Sequence, residues 1–207
     1  MRIAREGILY IAIPAVVGAI LLALSYWIIA LFFLIVAGFM LYFFRDPRRE
    51  PPTDADVVVS PADGRVTRVS VLAPGQEASA TLVSIFLSPI DVHINRSPIA
   101  GRIIDVSYTR GKFLMATDER ASLVNEQNAL TIEGAKISVV CKQIAGILAR
   151  RIVCWKHAGD RVELGERIGL IKFSSRTDVI LPENVAVTVT EGMKVRGGTT
   201  IIGRIQR

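Results

Sequence analysis

The 207-residue sequence predicts a mainly β protein with a few helices (α+β): a barrel-sandwich-like β domain preceded by an N-terminal apolar helical hairpin. Three observations carry this. No Asp, Glu, Lys or Arg occurs between Gly7 and Phe44. From Val57 onward, short runs rich in Val, Ile and Thr alternate with turn pairs such as Asp63-Gly64, Glu133-Gly134, Gly159-Asp160 and Gly197-Gly198. Many short strands at that spacing favour a sandwich or barrel. Helical composition in this part is confined to residues 112–125 and 144–152.

The N-terminal stretch reads as two apolar segments, 7–24 and 28–44, each close to the minimum that crosses a bilayer as a helix. Ser25, Tyr26 and Trp27 separate them, and Tyr and Trp favour the membrane interface. Arg2 and Arg5 flank one end; Arg45, Arg48 and Arg49 flank the other. Positive flanks stay on the cytoplasmic side. Both ends are therefore expected there, which a hairpin or re-entrant anchor satisfies and one long span does not. Pro14 is tolerated in a membrane helix. A secretory signal would need a cleavage site after Leu24, where the apolar run instead resumes. The expected organisation is an anchor at 1–44, a charged Pro-rich linker at 45–56 and a β-rich domain at 57–207. The expected strands lie at 57–60, 65–71, 81–87, 101–108, 129–133, 136–142, 166–173, 178–181, 185–190 and 199–205. The location that follows is the cell membrane, with the β-rich domain on the cytoplasmic side.

A net charge of +6 and a pI near 9.7 point to an anionic partner. Aromatic residues make up 7% of the chain and no basic run interleaves with them, which argues against a base-stacking surface and against nucleic acid. An anionic membrane fits the apolar N-terminus. Cys141 and Cys154 each lie in an apolar run outside any CxxC pair, and read as buried free thiols in a reducing compartment. With His93 and His157 the only histidines, no metal site is expected.

Residues suited to chemistry sit in the β-rich part. Ser174 and Ser175 stand between the apolar runs around Ile171 and Val179. A serine in a held backbone can attack the carbonyl just before it, and the chain can cut itself; a polar bend in a strand would look the same. Upstream, SPADGR (60–65) places Asp63 before a β-run, where Asp-Gly is also a hairpin signal. DVHINRSP (91–98) carries His93, the side-chain type best suited to move protons near neutrality, with a structural histidine as the plain alternative. Lys112 and Phe113, with Ser122, Asn125 and Glu126, read as an amphipathic helix end. Gln143 to Gly146 precede Arg150 and Arg151, which could bind phosphate or face solvent. His157 lies in a turn and is expected at the surface.

In this order FFRDP (43–47), SPADGRV (60–66), DVHINRSP (91–98), GKF (111–113), NEQN (125–128), QIAGILARRI (143–152) and GERIGLIKFSSRTDVILP (165–182) resemble the short-form phosphatidylserine decarboxylase proenzymes over almost the whole chain. The resemblance implies a pyruvoyl enzyme that cuts itself between Ser174 and Ser175. Ser175 is then the nucleophile and the precursor of the pyruvoyl cofactor, His93 the base, and Asp63 the carboxylate that orients it. The pyruvoyl ketone forms a Schiff base with the amine of the lipid's serine head group and acts as an electron sink, so carbon dioxide can leave. Arg96, Arg150, Arg151, Arg176 and Asn125 are the candidate substrate contacts. The implied partners are an anionic phospholipid, the membrane and the two fragments held together as a heterodimer. A homo-oligomer is left open, as is a diacyl or an archaeal ether lipid backbone. Two positions depart from the family pattern. Ser174 stands where glycine is usual, and Arg96 stands where longer members carry a second histidine.

A different class also has a sequence basis. Gly192-Met193-Lys194-Val195, preceded by the run from Gly159 to Gly165, is similar to biotinyl or lipoyl carrier domains, which display a lysine in a hairpin turn. The second methionine of a biotin site is missing. The likeness also hints at barrel-sandwich topology in the C-terminal half.

Overall fold

The charge-free stretch folds as two helices, α1 (Ile8–Ala23) and α2 (Trp27–Phe43), in a computed structural model that describes residues 2–72, 79–115, 118, 120–147, 151–173 and 175–206. α1 ends in a left-handed residue, Ser25 (φ 67°). The Ser25 N–H reaches the Leu22 carbonyl and the Tyr26 N–H the Leu21 carbonyl, which satisfies carbonyls the helix leaves open. Small residues let the helices approach: a Cβ on Gly18 would sit 3.0 Å from Leu34 and 3.3 Å from the Ala30 carbonyl. The far ends are joined by two short strands, β1 (Arg2–Ile3) and β2 (Arg45–Asp46), paired antiparallel. These elements form one compact unit, Met1–Arg48; the second is Arg49–Arg207. The span Arg5–Ala23 is long and apolar enough to cross a membrane, while Trp27–Phe43 is shorter.

The second unit is built almost wholly of strands. In chain order these are β3 (Val57–Val59), β4 (Gly64–Leu72), β5 (Ala80–Leu87), β6 (Ile94–Arg96), β7 (Gly101–Thr109), β8 (Gln127–Glu133) and β9 (Ser138–Ala145). There follow β10 (Ile152–Cys154), β11 (Arg161–Val162), β12 (Arg167–Ile171), β13 (Ser175–Pro182), β14 (Val185–Val187), β15 (Lys194–Val195) and β16 (Ile201–Ile205). An eight-stranded antiparallel sheet, ordered β11-β7-β8-β9-β13-β5-β4-β15, curls into a half-barrel. Two three-stranded sheets accompany it, β10-β12-β6 and β14-β16-β3. The strand character follows from apolar residues at alternating positions, such as Val83, Ile85 and Leu87 on β5, the first two of them β-branched. These join Leu130, Cys141, Val179 and Leu181 in one buried cluster. The mainly β architecture after an apolar helical pair is the fold class the sequence predicted.

Two helical expectations fail. Among the described residues of 112–125 only one turn is helical, α3 (Ala121–Val124). The segment folds back on itself instead. The Lys112 N–H donates to the Val124 carbonyl (2.7 Å) and the Glu126 N–H to the Lys112 carbonyl (3.0 Å), so these backbone groups are satisfied across the loop rather than along a helix. In 144–152, β9 runs on through Ala145 and β10 begins at Ile152, while residues 148–150 lie outside the described residues. Ile144 has strand partners on both sides, Gln127 and Arg176, and that double ladder overrides local helix propensity.

Candidate active site

The chain changes sheets immediately before Ser175. β12 belongs to the sheet with β6 and β10; β13, which starts at Ser175, lies inside the eight-stranded sheet between β9 and β5. β12 ends at Ile171, and Phe173, two residues before β13, has φ 60°. A bulky side chain in the left-handed region is a strained backbone position. Ser174 lies outside the described residues. Ser175 is fully buried, opposite Leu87 on β5 and Ala145 on β9. Its Oγ makes no hydrogen bond among the described residues. A buried hydroxyl left so costs free energy.

His93 is fully buried and directly precedes β6. Its carbonyl accepts from the Ile171 N–H at 3.3 Å, which extends the β6–β12 ladder to within four residues of Ser175. The ring's Nδ1 lies 2.9 Å from the Asp91 carbonyl. A carbonyl can only accept, so Nδ1 carries a proton, and in the neutral ring Nε2 holds the lone pair. The Asp91 carbonyl is itself set by a tight turn: the Asp91 N–H donates to the Ser88 carbonyl (2.9 Å) and the Ser88 N–H to the Asp91 carboxylate (2.8 Å). The acceptor at Nδ1 is thus a backbone carbonyl. Asp63 accepts from the Arg49 guanidinium at 2.6 Å and from the Gly197 N–H at 2.8 Å. Burial pushes its carboxyl above the usual range; Arg49 and the Gly197 N–H oppose this without cancelling it.

Four residues assigned no site role from the sequence join these strands. Asn128 Nδ2 donates to Gln143 Oε1 (3.1 Å), Gln143 Nε2 to Asn95 Oδ1 (2.9 Å), and Asn95 Nδ2 to Thr177 Oγ1 (2.9 Å). All four are buried. Asn95 is two residues after His93, and Thr177 two residues after Ser175. By the two-residue period of an extended chain, His93 shares a face with Asn95 and Ser175 with Thr177.

The other candidate contacts are dispersed. Arg96 is buried, with one guanidinium nitrogen 3.1 Å from the Gly165 carbonyl. Arg151 is exposed, and its carbonyl accepts from the Lys172 N–H at the end of β12. Arg150 lies outside the described residues. Arg176 turns to the face of β13 opposite Ser175, where it meets Asp178 (2.6 Å) and Ser84 (2.7 Å). Asn125 is buried and bonded to backbone on all sides: it accepts from the Leu114 N–H and donates to the Leu114 and Ala145 carbonyls. It fastens the 111–126 loop to the end of β9 beside Ser175. Lys194 lies within β15, paired with Arg65, past the turn at Gly192 rather than at its tip.

Residues 36–203 match the family model described as phosphatidylserine decarboxylase. Three curated relatives carry the name phosphatidylserine decarboxylase proenzyme. That of Geotalea uraniireducens is 45% identical, covering 97% of this chain and 95% of its own. That of Solibacter usitatus is 47% identical, covering 99% and 97%. That of Gluconobacter oxydans is 50% identical, covering 81% and 77%. The fold and the matched region together define an enzyme, a carboxy-lyase. The chain belongs to the phosphatidylserine decarboxylase family, as its motifs led one to expect.

Proposed function

We propose that this chain decarboxylates phosphatidylserine to phosphatidylethanolamine after cutting itself between Ser174 and Ser175, and that former Ser175 becomes its pyruvoyl group. The observation that carries this reading is the buried Ser175 Oγ, without a hydrogen-bond partner among the described residues at the first position of a doubly held strand. The Oγ attacks the Ser174 carbonyl carbon; the new C–O bond replaces the C–N bond and leaves an ester. His93, with its lone pair on Nε2, is the base that takes the hydroxyl proton. Removal of the Ser175 α-proton then expels the Ser174 carboxylate by β-elimination. Water adds to the dehydroalanine left behind and ammonia departs, which leaves the new chain terminus as a pyruvoyl group.

The site fits that group: its position is buried, with apolar strand partners on either side, Leu87 and Ala145. A pyruvoyl ketone supplies the electron sink for loss of carbon dioxide from an amino acid head group. His93 holds the proton that returns to the substrate carbon. Exposed Arg151 is the better placed of the described candidate contacts for a phosphate or carboxylate, because Arg176 is already neutralised by Asp178, the Asn125 amide is filled by backbone and Arg96 is buried against the Gly165 carbonyl.

Intact-mass measurement of the denatured protein is expected to give two chains, 1–174 and 175–207, the second with a blocked terminus. Ser175→Ala is expected to remain one chain and to lose decarboxylation. A single wild-type chain at 22.6 kDa overturns the reading.

The hairpin is proposed to hold the enzyme in a membrane with both ends on the cytoplasmic side. The β1–β2 pairing, which keeps those ends together, supports it. Reporters fused to either end should both be cytoplasmic; one on the far side would overturn this topology.

A further inference from the structure

The interior of the half-barrel is layered along β13. At one level, cross-strand neighbours Val179, Cys141 and Leu130 are apolar. Two residues nearer the start of β13, the neighbours are Thr177, Gln143 and Asn128, all polar and all buried. Two residues further on, the level belongs to Ser175 and Ala145. A polar row therefore lies between the apolar core and the reactive serine, and Asn95 bonds into it from β6.

We infer that the hydrogen-bonded row Asn128–Gln143–Asn95–Thr177 registers His93 against Ser175, with Asn95, Gln143 and Thr177 as positioning residues for self-cleavage. This rests on the reading under Proposed function. β6 is three residues long, and its strand partner is β12, in a different sheet from β13. Backbone pairing therefore sets β6 against β12 but leaves its offset over β13 to side chains. Apolar contacts would tolerate sliding, whereas directional hydrogen bonds fix both distance and rotation. The donors and acceptors run in one sense from Asn128 to Thr177, so each amide has a defined orientation. None of the four titrates, so the row positions His93 without adding a charge to the site.

The chain makes room for this row. Gly169 on β12 is the strand partner of Asn95, and a Cβ there would lie 2.7 Å from Gln143 Nε2. The same Cβ would approach the Val153 carbonyl to 2.3 Å. Glycine at 169 thus lets the Gln143 amide pass alongside β12 and reach Asn95.

The test uses the full chain with two readouts. Thr177→Val, nearly isosteric, removes the terminal acceptor; Thr177→Ser keeps it; Gln143→Leu cuts the row in the middle. Time courses of self-cleavage in freshly translated protein are expected to slow about tenfold or more in Thr177→Val, since small misplacements of reacting groups cost that much. Thr177→Ser is expected to recover most of the rate. The second readout needs no cleavage. In uncut Ser175→Ala protein carrying 15N-histidine, Thr177→Val and Gln143→Leu should shift or split the ring signals of His93 and leave those of exposed His157 in place. Unchanged His93 signals in both variants overturn the inference, as does cleavage of Thr177→Val at the wild-type rate. Wild-type protein that stays whole would sink the reading under Proposed function, and the His93 signals would still decide whether the row positions the ring. If Gln143→Leu fails to fold, Thr177→Val carries the decision, with melting curves confirming its fold.

Discussion

On one face of β13, Arg176 and Asp178 are joined at 2.6 Å and Arg176 also reaches Ser84 at 2.7 Å; on the other, Ser175 and Thr177 present neutral hydroxyls. Both faces are buried, yet they handle polarity differently. The charged face is closed: a cation, an anion and a hydroxyl bind one another within two adjacent strands. The neutral face is open at one end, because Thr177 ends the amide row while the Ser175 Oγ has no described partner. One strand thus carries its ion-paired polar groups and the serine proposed to react on opposite sides. A change to the ion pair should register in stability, and a change to the serine in chemistry.

The largest stability effect is expected on the closed face. In the uncut Ser175→Ala background, Asp178→Ala leaves the Arg176 guanidinium buried at 3% exposure without its counter-charge. Breaking a buried pair in this way costs about 3–5 kcal/mol, read as a shift in the urea midpoint. Ser84→Ala in the same background removes a hydrogen bond to the charged group and should cost about 1.5–3 kcal/mol. The order is the point. If Ser84→Ala costs as much as Asp178→Ala, the pair is not the closed unit its geometry describes. If Asp178→Ala costs under about 1 kcal/mol, the pair behaves as a solvated one and the contrast between the faces is lost.

Much of this arrangement was legible in the sequence, and the remainder was hidden for identifiable reasons. The hairpin showed because 7–44 lacks charge, and most strands showed because β-branched runs are cut by Gly and Asp turns. The 112–125 segment misled because it reads locally as an amphipathic helix end, while the Lys112–Asn125 bridge that folds it back depends on residues thirteen positions apart. Ser175 and His93 could be singled out by residue type and motif. Asn95 and Gln143 lay inside the same motifs, but nothing local joins Asn95 to Thr177, 82 positions away. The acceptor that fixes the His93 tautomer was invisible in principle, since it is the backbone carbonyl of Asp91 and not a side chain. The resemblance put Asp63 beside His93, and in the structure the Asp63 carboxylate accepts from Arg49 and from the Gly197 N–H.

The smallest effect tests whether the closed face is felt through the sheet. Cys141 is on β9, opposite Val179, with its side in the apolar core. Burial pushes its thiol up to about 12, and the Asp178 charge adds to this from the far face of β13. Iodoacetamide at mildly alkaline pH should therefore modify half-buried Cys154 in the folded protein and spare Cys141 until denaturant is added. Because burial is the larger cause, Asp178→Asn should leave Cys141 protected and only slightly lower its pKa. Were that substitution alone to expose Cys141 to alkylation in protein that still melts cooperatively, the Asp178 charge would be reaching the core with more force than burial allows. The two faces of β13 would then be one coupled electrostatic unit, not two.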